Sequence, residues 1–482
     1  MSEETLKNKT ARGLFWGGIS NGSQQIIQLI FGIIMLRILG PKDYGIVGML
    51  SIFTMIAMSI QDSGFTTALI NKKNIQHNDY NAVFWFNLII SIALYLCLWG
   101  IAPIIADYFE LPILTSISRV LFISILFGGI GLPQYAFIVK NLMVKEKAQI
   151  EISAILFSGI IGILLAIGGY AYWAIVIQNV LYVAIAMTAR WYYSPWKPTF
   201  NIDFSPLKEM FSFSIKLFLT GIFSKIVENI FSVLLGKYYK EEMVGYYSQG
   251  NKWSTMGGSF IAGMIGNVAM PILTQISDDK TRQSNAFRKM LRFGAFVSFP
   301  LLLGLAFVGK EFLIIIGGGD KWLSVTPFLQ LFCIWNSTLY IHTLYTNLLF
   351  THKKSGIFMM GTIIIGILQL AAIAITFKFG IFQMLATYII INILSLGFWH
   401  YFTSKLLYLK IWHVIIDVAP FLLFTLISIS TAWFITKEIN NIYICLLLKT
   451  LITALVYIVI AWCSKSIIVQ ECFNFLIQKK QK

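Results

Sequence analysis

Apolar residues run along this chain in blocks of about 20, separated by short breaks rich in polar residues, glycine and proline. Fourteen blocks stand out, roughly from Leu14 to Leu39, Gly45 to Ile70, Val83 to Tyr108, Val120 to Val139, Ile150 to Gly168, Tyr170 to Tyr192 and Phe211 to Leu235 in the first half. They continue from Val244 to Leu273, Met290 to Ile316, Val325 to Phe350, Ile357 to Phe377, Ile381 to Phe402, Val414 to Ile435 and Ile442 to Cys463. A helix of about 20 residues crosses the hydrocarbon of a bilayer, and only a helix or a closed barrel satisfies its own backbone there. The pattern therefore predicts an all-α polytopic membrane protein of about 14 transmembrane helices.

Two blocks end alike. Leu39-Gly40-Pro41-Lys42-Asp43-Tyr44-Gly45 follows the first, and Leu235-Gly236-Lys237-Tyr238-Tyr239 with Val244-Gly245-Tyr246 follows the seventh, 196 residues later. Leu121-Phe122 and Leu331-Phe332 echo each other at an offset of 210. Six spans per half is an even number, so both halves start on the same side and the repeat is parallel, with its pseudo-axis along the membrane normal. This predicts two six-helix lobes, residues 1–193 and 209–405, joined by a linker at 194–208 that carries Pro195, Pro198 and Pro206. Residues 406–482, with spans 13 and 14 and the tail, have no counterpart and are expected outside the core. No loop is long enough for a folded extramembrane domain.

The net charge of +16 changes the picture only through its distribution. With a cytoplasmic N-terminus, 24 of the 37 Lys and Arg fall on the inner side, nine outside and four within spans. This is a positive-inside bias; it places both termini in the cytoplasm and argues against a nucleic-acid partner. The first block is too long for a signal-peptide core and is expected to remain as span 1. Five scattered cysteines without a C-x-x-C pair indicate neither zinc nor a disulfide framework. There is no Walker A sequence and no cofactor motif.

Polar residues inside the blocks are the candidates for chemistry. Asn21, Gln24, Gln25 and Gln28 share one face of span 1 with Gly17 and Gly32. Amides in hydrocarbon need partners, so this face lines an aqueous cavity or bonds across helices. Lys225 and Glu228 in span 7 are three apart and hence neighbours, at a depth where ionisable groups are costly. Lys252 in span 8 lies at a depth similar to Glu228. Two lysines and one glutamate keep a net positive charge suited to a phosphate or diphosphate, although a self-contained ion pair with a spare lysine fits the same residues. Coupling or gating candidates are Glu228, Asp62, Arg37 and His342, the last with Thr338 and Thr346 one turn away on either side. Asp417 and Lys449, in the two extra spans, read as structural.

Arg37-Ile-Leu-Gly-Pro-Lys-Asp-Tyr-Gly45, Asp62-Ser-Gly-Phe with Ala68-Leu-Ile70, Phe84-Trp-Phe-Asn87, Ala102-Pro103 through Ile105-Ala-Asp-Tyr-Phe109, and Trp196-Lys-Pro198 with Phe204-Ser205 resemble the polysaccharide transport (Wzx-type) flippases. These belong to the multidrug/oligosaccharidyl-lipid/polysaccharide (MOP) exporter superfamily. The resemblance implies two lobes in a V around a cavity that opens alternately to each side. It implies as cargo an undecaprenyl-diphosphate-linked oligosaccharide, moved to the outer leaflet of the bacterial cytoplasmic membrane with H⁺ or Na⁺ entry, and a polymerase and ligase as partners. Relatives carry a cationic cavity; here the cations sit on spans 7 and 8, while span 1 offers amides. Two other readings are a multidrug exporter of organic cations in the same superfamily and a membrane glycan polymerase or ligase.

Overall fold

The computed structural model describes residues 22–464 apart from Ser63 and Lys73, so Asn21 lies outside the described residues. Among them, all regular structure is helical. Twelve helical segments are long and apolar enough to cross a membrane, and the described part of span 1 forms a shorter apolar helix, α1 (Gly22–Ile38). The tenth predicted block folds as two helices.

In chain order, the first half comprises α2 (Pro41–Met49), α3 (Ser51–Asp62), α4 (Phe65–Asn71), α5 (His77–Tyr108), α6 (Ile113–Leu121), α7 (Ile123–Lys140), α8 (Val144–Ile167), α9 (Tyr172–Tyr193) and α10 (Ser205–Tyr238). The second comprises α11 (Glu241–Gln275), α12 (Lys280–Phe307), α13 (Gly309–Gly317), α14 (Thr326–Asn336), α15 (Leu339–Thr351), α16 (Ser355–Thr376), α17 (Ile381–Leu407), α18 (Ile411–Thr436) and α19 (Ile442–Cys463). Span 2 is thus divided into α2, α3 and α4, and Gly64 enters α4 at φ 73°, where a side chain would be strained.

The division between α14 and α15 shows how a broken helix survives in a bundle. A carbonyl released from the helical ladder must find another donor where water is scarce. Ser298 of α12 supplies it, donating its hydroxyl to the Ser337 carbonyl at 2.8 Å.

The helices fall into two compact units, residues 1–248 and 249–482. In the first, α10 packs on α3, α4 and α5, so the seventh predicted span sits with the first six. Lipid is as apolar as leucine, so close packing has to hold such helices together. Small residues accordingly face large ones: Gly159 of α8 abuts Phe31 of α1. In the second unit Gly294 of α12 lies against the Tyr340 ring, and Gly361 of α16 against Trp399. Tyr340 and Trp399 are each 1% exposed and belong to one continuous apolar core.

The two extra helices are pinned to the second unit by charge. Arg288 of α12 grips Asp417 of α18 in a bidentate pair at 2.6 and 3.1 Å, with Arg292 behind at 3.8 Å. Lys449 of α19 meets Glu311 of α13 at 2.7 Å. Tyr457 adds a hydrogen bond to the Phe296 carbonyl at 2.8 Å.

Candidate transport site

The polar stretch of α10 faces α3 within the first unit. Lys225 and Glu228 form the ion pair that their spacing predicts, at 2.7 Å, with side chains 39% and 53% exposed. One residue on, Asn229 donates to the Lys225 carbonyl at 3.0 Å and to the Met55 sulfur at 3.2 Å, and accepts from the Ser51 hydroxyl at 3.5 Å. Asn229 and Ser51 were not singled out in the sequence, although an amide one residue from a predicted ion pair was signal enough.

On α1, Gln28 is exposed, Gln24 and Gln25 are half-buried, and Gln25 Oε1 is buried without a hydrogen-bond partner. Arg37 is exposed at the end of this helix. Lys252 belongs to the second unit, where its side chain is exposed and its ammonium lies 5.8 Å from the Trp253 ring centroid. Asp62 ends α3 with Oδ1 buried and unpartnered. His342 packs edge-on against Trp399 at 5.5 Å. The hydroxyls of Thr338 and Thr346 donate to the backbone carbonyls of Trp335 and Thr343, turned into their own chain rather than along a strip with His342.

Other polar residues are buried within the helices. In the first unit Gln61, Asn87 and Gln134 are each 2% exposed or less. Gln61 donates to Ser91 and to the Ile125 carbonyl, both at 2.5 Å, in space left by Gly128 and Gly129. Among the described residues no cluster of His, Cys, Asp or Glu is arranged to hold a metal ion.

The repeat acquires a spatial meaning at the predicted outer end. A β-carbon on Gly45 would overlap the Glu241 carbonyl, and one on Gly245 would overlap the Pro41 carbonyl. Each glycine therefore meets the residue four places before its counterpart, as expected of a contact across a two-fold pseudo-axis. The starts of α2 and α11 touch backbone to backbone, which only glycine permits. Around this seam, Lys42 pairs with Glu241 at 2.9 Å and Lys237 with Glu110 at 2.8 Å. The Lys237 ammonium, bonded to Glu110, holds its carboxyl below the usual carboxylate range.

A family model described as polysaccharide biosynthesis protein matches residues 34–327. The teichuronic acid biosynthesis protein TuaB of Bacillus subtilis (strain 168) is 26% identical over 338 residues, 68% of each chain. The lipopolysaccharide biosynthesis protein WzxC of Escherichia coli (strain K12) is 22% identical over 336 residues, 68% of this chain and 67% of the relative. Among solved structures, the lipid II flippase MurJ in an inward closed conformation gives a TM-score of 0.74 at 15% identity, covering 94% of this chain and 99% of that one. An inward-facing multidrug resistance MATE transporter of the MOP superfamily gives 0.61 at 13%, covering 80% and 98%. The chain thus belongs to the polysaccharide biosynthesis protein family, as a multi-pass membrane protein with the MOP fold.

Proposed function

We propose that this protein is a flippase for a polyprenyl-diphosphate-linked oligosaccharide, most simply the undecaprenyl form, moving it from the inner to the outer leaflet of a bacterial cytoplasmic membrane. The observation that carries this reading is the likeness to a lipid II flippase over nearly the whole chain, in a member of a polysaccharide biosynthesis family. A glycan diphosphate cannot cross hydrocarbon unaided, because its polar groups would lose hydration without replacement. Alternating access between lobes 1–193 and 209–405 would give the head a wet route while the polyprenyl tail stays in lipid. Lys225 and Lys252 meet the diphosphate in this reading, and the amides at Asn21, Gln24, Gln25 and Gln28 meet sugar. Glu228, Asp62, Arg37 and His342 are the candidates for coupling to H⁺ or Na⁺ entry, and a polymerase and a ligase would consume the product.

Both termini are cytoplasmic in this reading, by the positive-inside bias of the loops. Deletion of the gene should accumulate lipid-linked intermediates identifiable by mass spectrometry; their absence rejects the cargo. A charge-assisted hydrogen bond contributes about 1.5–3 kcal/mol, so Lys225→Ala and Lys252→Ala should each cut export roughly ten- to hundredfold at native expression. Normal surface glycan in both variants removes the diphosphate assignment. Flipping in proteoliposomes that ignores imposed pH and Na⁺ gradients removes the coupling.

A further inference from the structure

The connection between α9 and α10 reads as an inter-lobe linker in sequence, and it is docked along the first turns of α5. Trp196, 7% exposed, sits between Tyr80 and Phe84, with ring centroids at 5.6 and 6.2 Å. The same apolar cluster holds Leu207 and Met210 of α10. Asn81 clamps the backbone of this connection twice, accepting from Thr199 N at 2.9 Å and donating to the Asn201 carbonyl at 2.6 Å. Trp85 Nε1 donates to the Thr199 carbonyl at 2.8 Å.

His77, the first residue of α5, completes this attachment. Its Nδ1 lies 3.1 Å from Trp196 Nε1, and its Nε2 lies 3.3 Å from the Thr199 hydroxyl. An indole N–H only donates, so Nδ1 has to accept. That requires a neutral imidazole whose single proton sits on Nε2 and is offered to Thr199. A second proton would set N–H against N–H and leave the buried Trp196 donor without an acceptor. The approach is through the indole N–H edge, the positive rim of the ring, so cation–π attraction does not compensate.

The charged groups nearby have partners of their own. Asp79 on α5 binds Lys72 at 2.9 Å and caps the Gln76 amide. Lys140 on α7 donates to the Leu69, Ile70 and Lys72 carbonyls. Lys197 in the α9–α10 connection bonds the Trp191 carbonyl and lies over its ring. Asp203 accepts from the amide and hydroxyl of Ser205.

We propose that His77 is a proton-operated catch: the neutral imidazole holds Trp196 in its seat and fixes the α9–α10 connection, and protonation frees residues 194–204. Among side chains, histidine is the one whose ordinary charge change falls between pH 5 and 8. The proposal concerns a conformational change and does not depend on the cargo.

Hydrogen–deuterium exchange of the full-length protein in nanodiscs reads it directly. After correction for intrinsic exchange, opening of 194–204 should be about tenfold more populated at pH 5.5 than at pH 7.5, the equivalent of one unsatisfied buried donor. In His77→Gln this pH response should vanish. In Trp196→Phe, which keeps the ring and removes the donor, opening should be raised at both pH values with no pH response. Equal protection of the wild-type segment at the two pH values overturns the proposal, as does an undiminished response in either variant. If His77→Gln fails to fold, Trp196→Phe with His77 intact decides alone.

Discussion

Asp417 and Glu110 each meet a basic side chain that is 26% exposed, at 2.6 and 2.8 Å, yet the Asp417 side chain is 2% exposed and that of Glu110 80%. Similar geometry gives two different interactions. Asp417, taken out of solvent, depends on its arginines, because a buried charge without its partner is strongly destabilising. Glu110 exchanges Lys237 for water at little cost, since exposed pairs contribute little. The first contact suits an attachment that persists, here of α18 on α12. The second suits a contact that can part and re-form.

The largest effect is expected at the seam itself. Gly45→Val and Gly245→Val insert atoms where backbone already stands, so the closed contact cannot form. Each should abolish glycan export in a complementation assay while the protein still inserts at normal levels. Export within twofold of wild type would show that the seam is dispensable.

Next in size is the attachment. Asp417→Ala should lower the stability of the purified protein by about 2 kcal/mol, discounted from the cost of breaking a fully buried pair because the arginines reach solvent. Thermal unfolding in detergent reads this, and a loss no greater than in Glu110→Gln would show that the buried and exposed pairs are energetically equivalent.

Smaller still is a pH effect at His352, which sits beyond the end of α15 and hydrogen-bonds Gln283 at 3.1 Å. Burial, with Lys280 and Lys354 adding, pushes its imidazole below the ordinary histidine value. The folded state therefore favours the neutral ring: stability is full above about pH 6.5 and declines as pH falls through the lowered value. His352→Gln should flatten that decline between pH 7 and 5, and an unchanged slope would exclude His352 as its source.

The smallest effect belongs to Glu110. Its lowered carboxyl gives any stabilisation above the unfolded carboxylate value, lost only as pH drops below about 4. Glu110→Gln should leave the unfolding midpoint at pH 7 unmoved.

Hydropathy made the helices legible because a bilayer demands long apolar segments whatever their neighbours. The break at Ser337–Thr338 escaped it, since Ser298 repairs the freed carbonyl from another helix and leaves no local trace. The Lys225–Glu228 pair was readable from a spacing of three, a property of one helix. Gln61 on Ser91 and Asn229 on Met55 were not, because each partner lies on a different helix. Gly45 and Gly245 stood in plain view as part of an echo, but a one-dimensional repeat does not say that its copies touch. The docking of the proline-bearing linker was hidden for a similar reason: Asn81 and His77, which fasten it, precede it by more than 100 residues.

The mutual fit of Gly45 and Gly245 has an evolutionary corollary. Each depends on a carbonyl beside the other, so a bulkier residue at one position cannot be rescued by shrinking its partner, which is already as small as side chains come. Among proteins that keep this contact, both sites should be held invariant as a pair, and lineages that lose one should be released from constraint at the second.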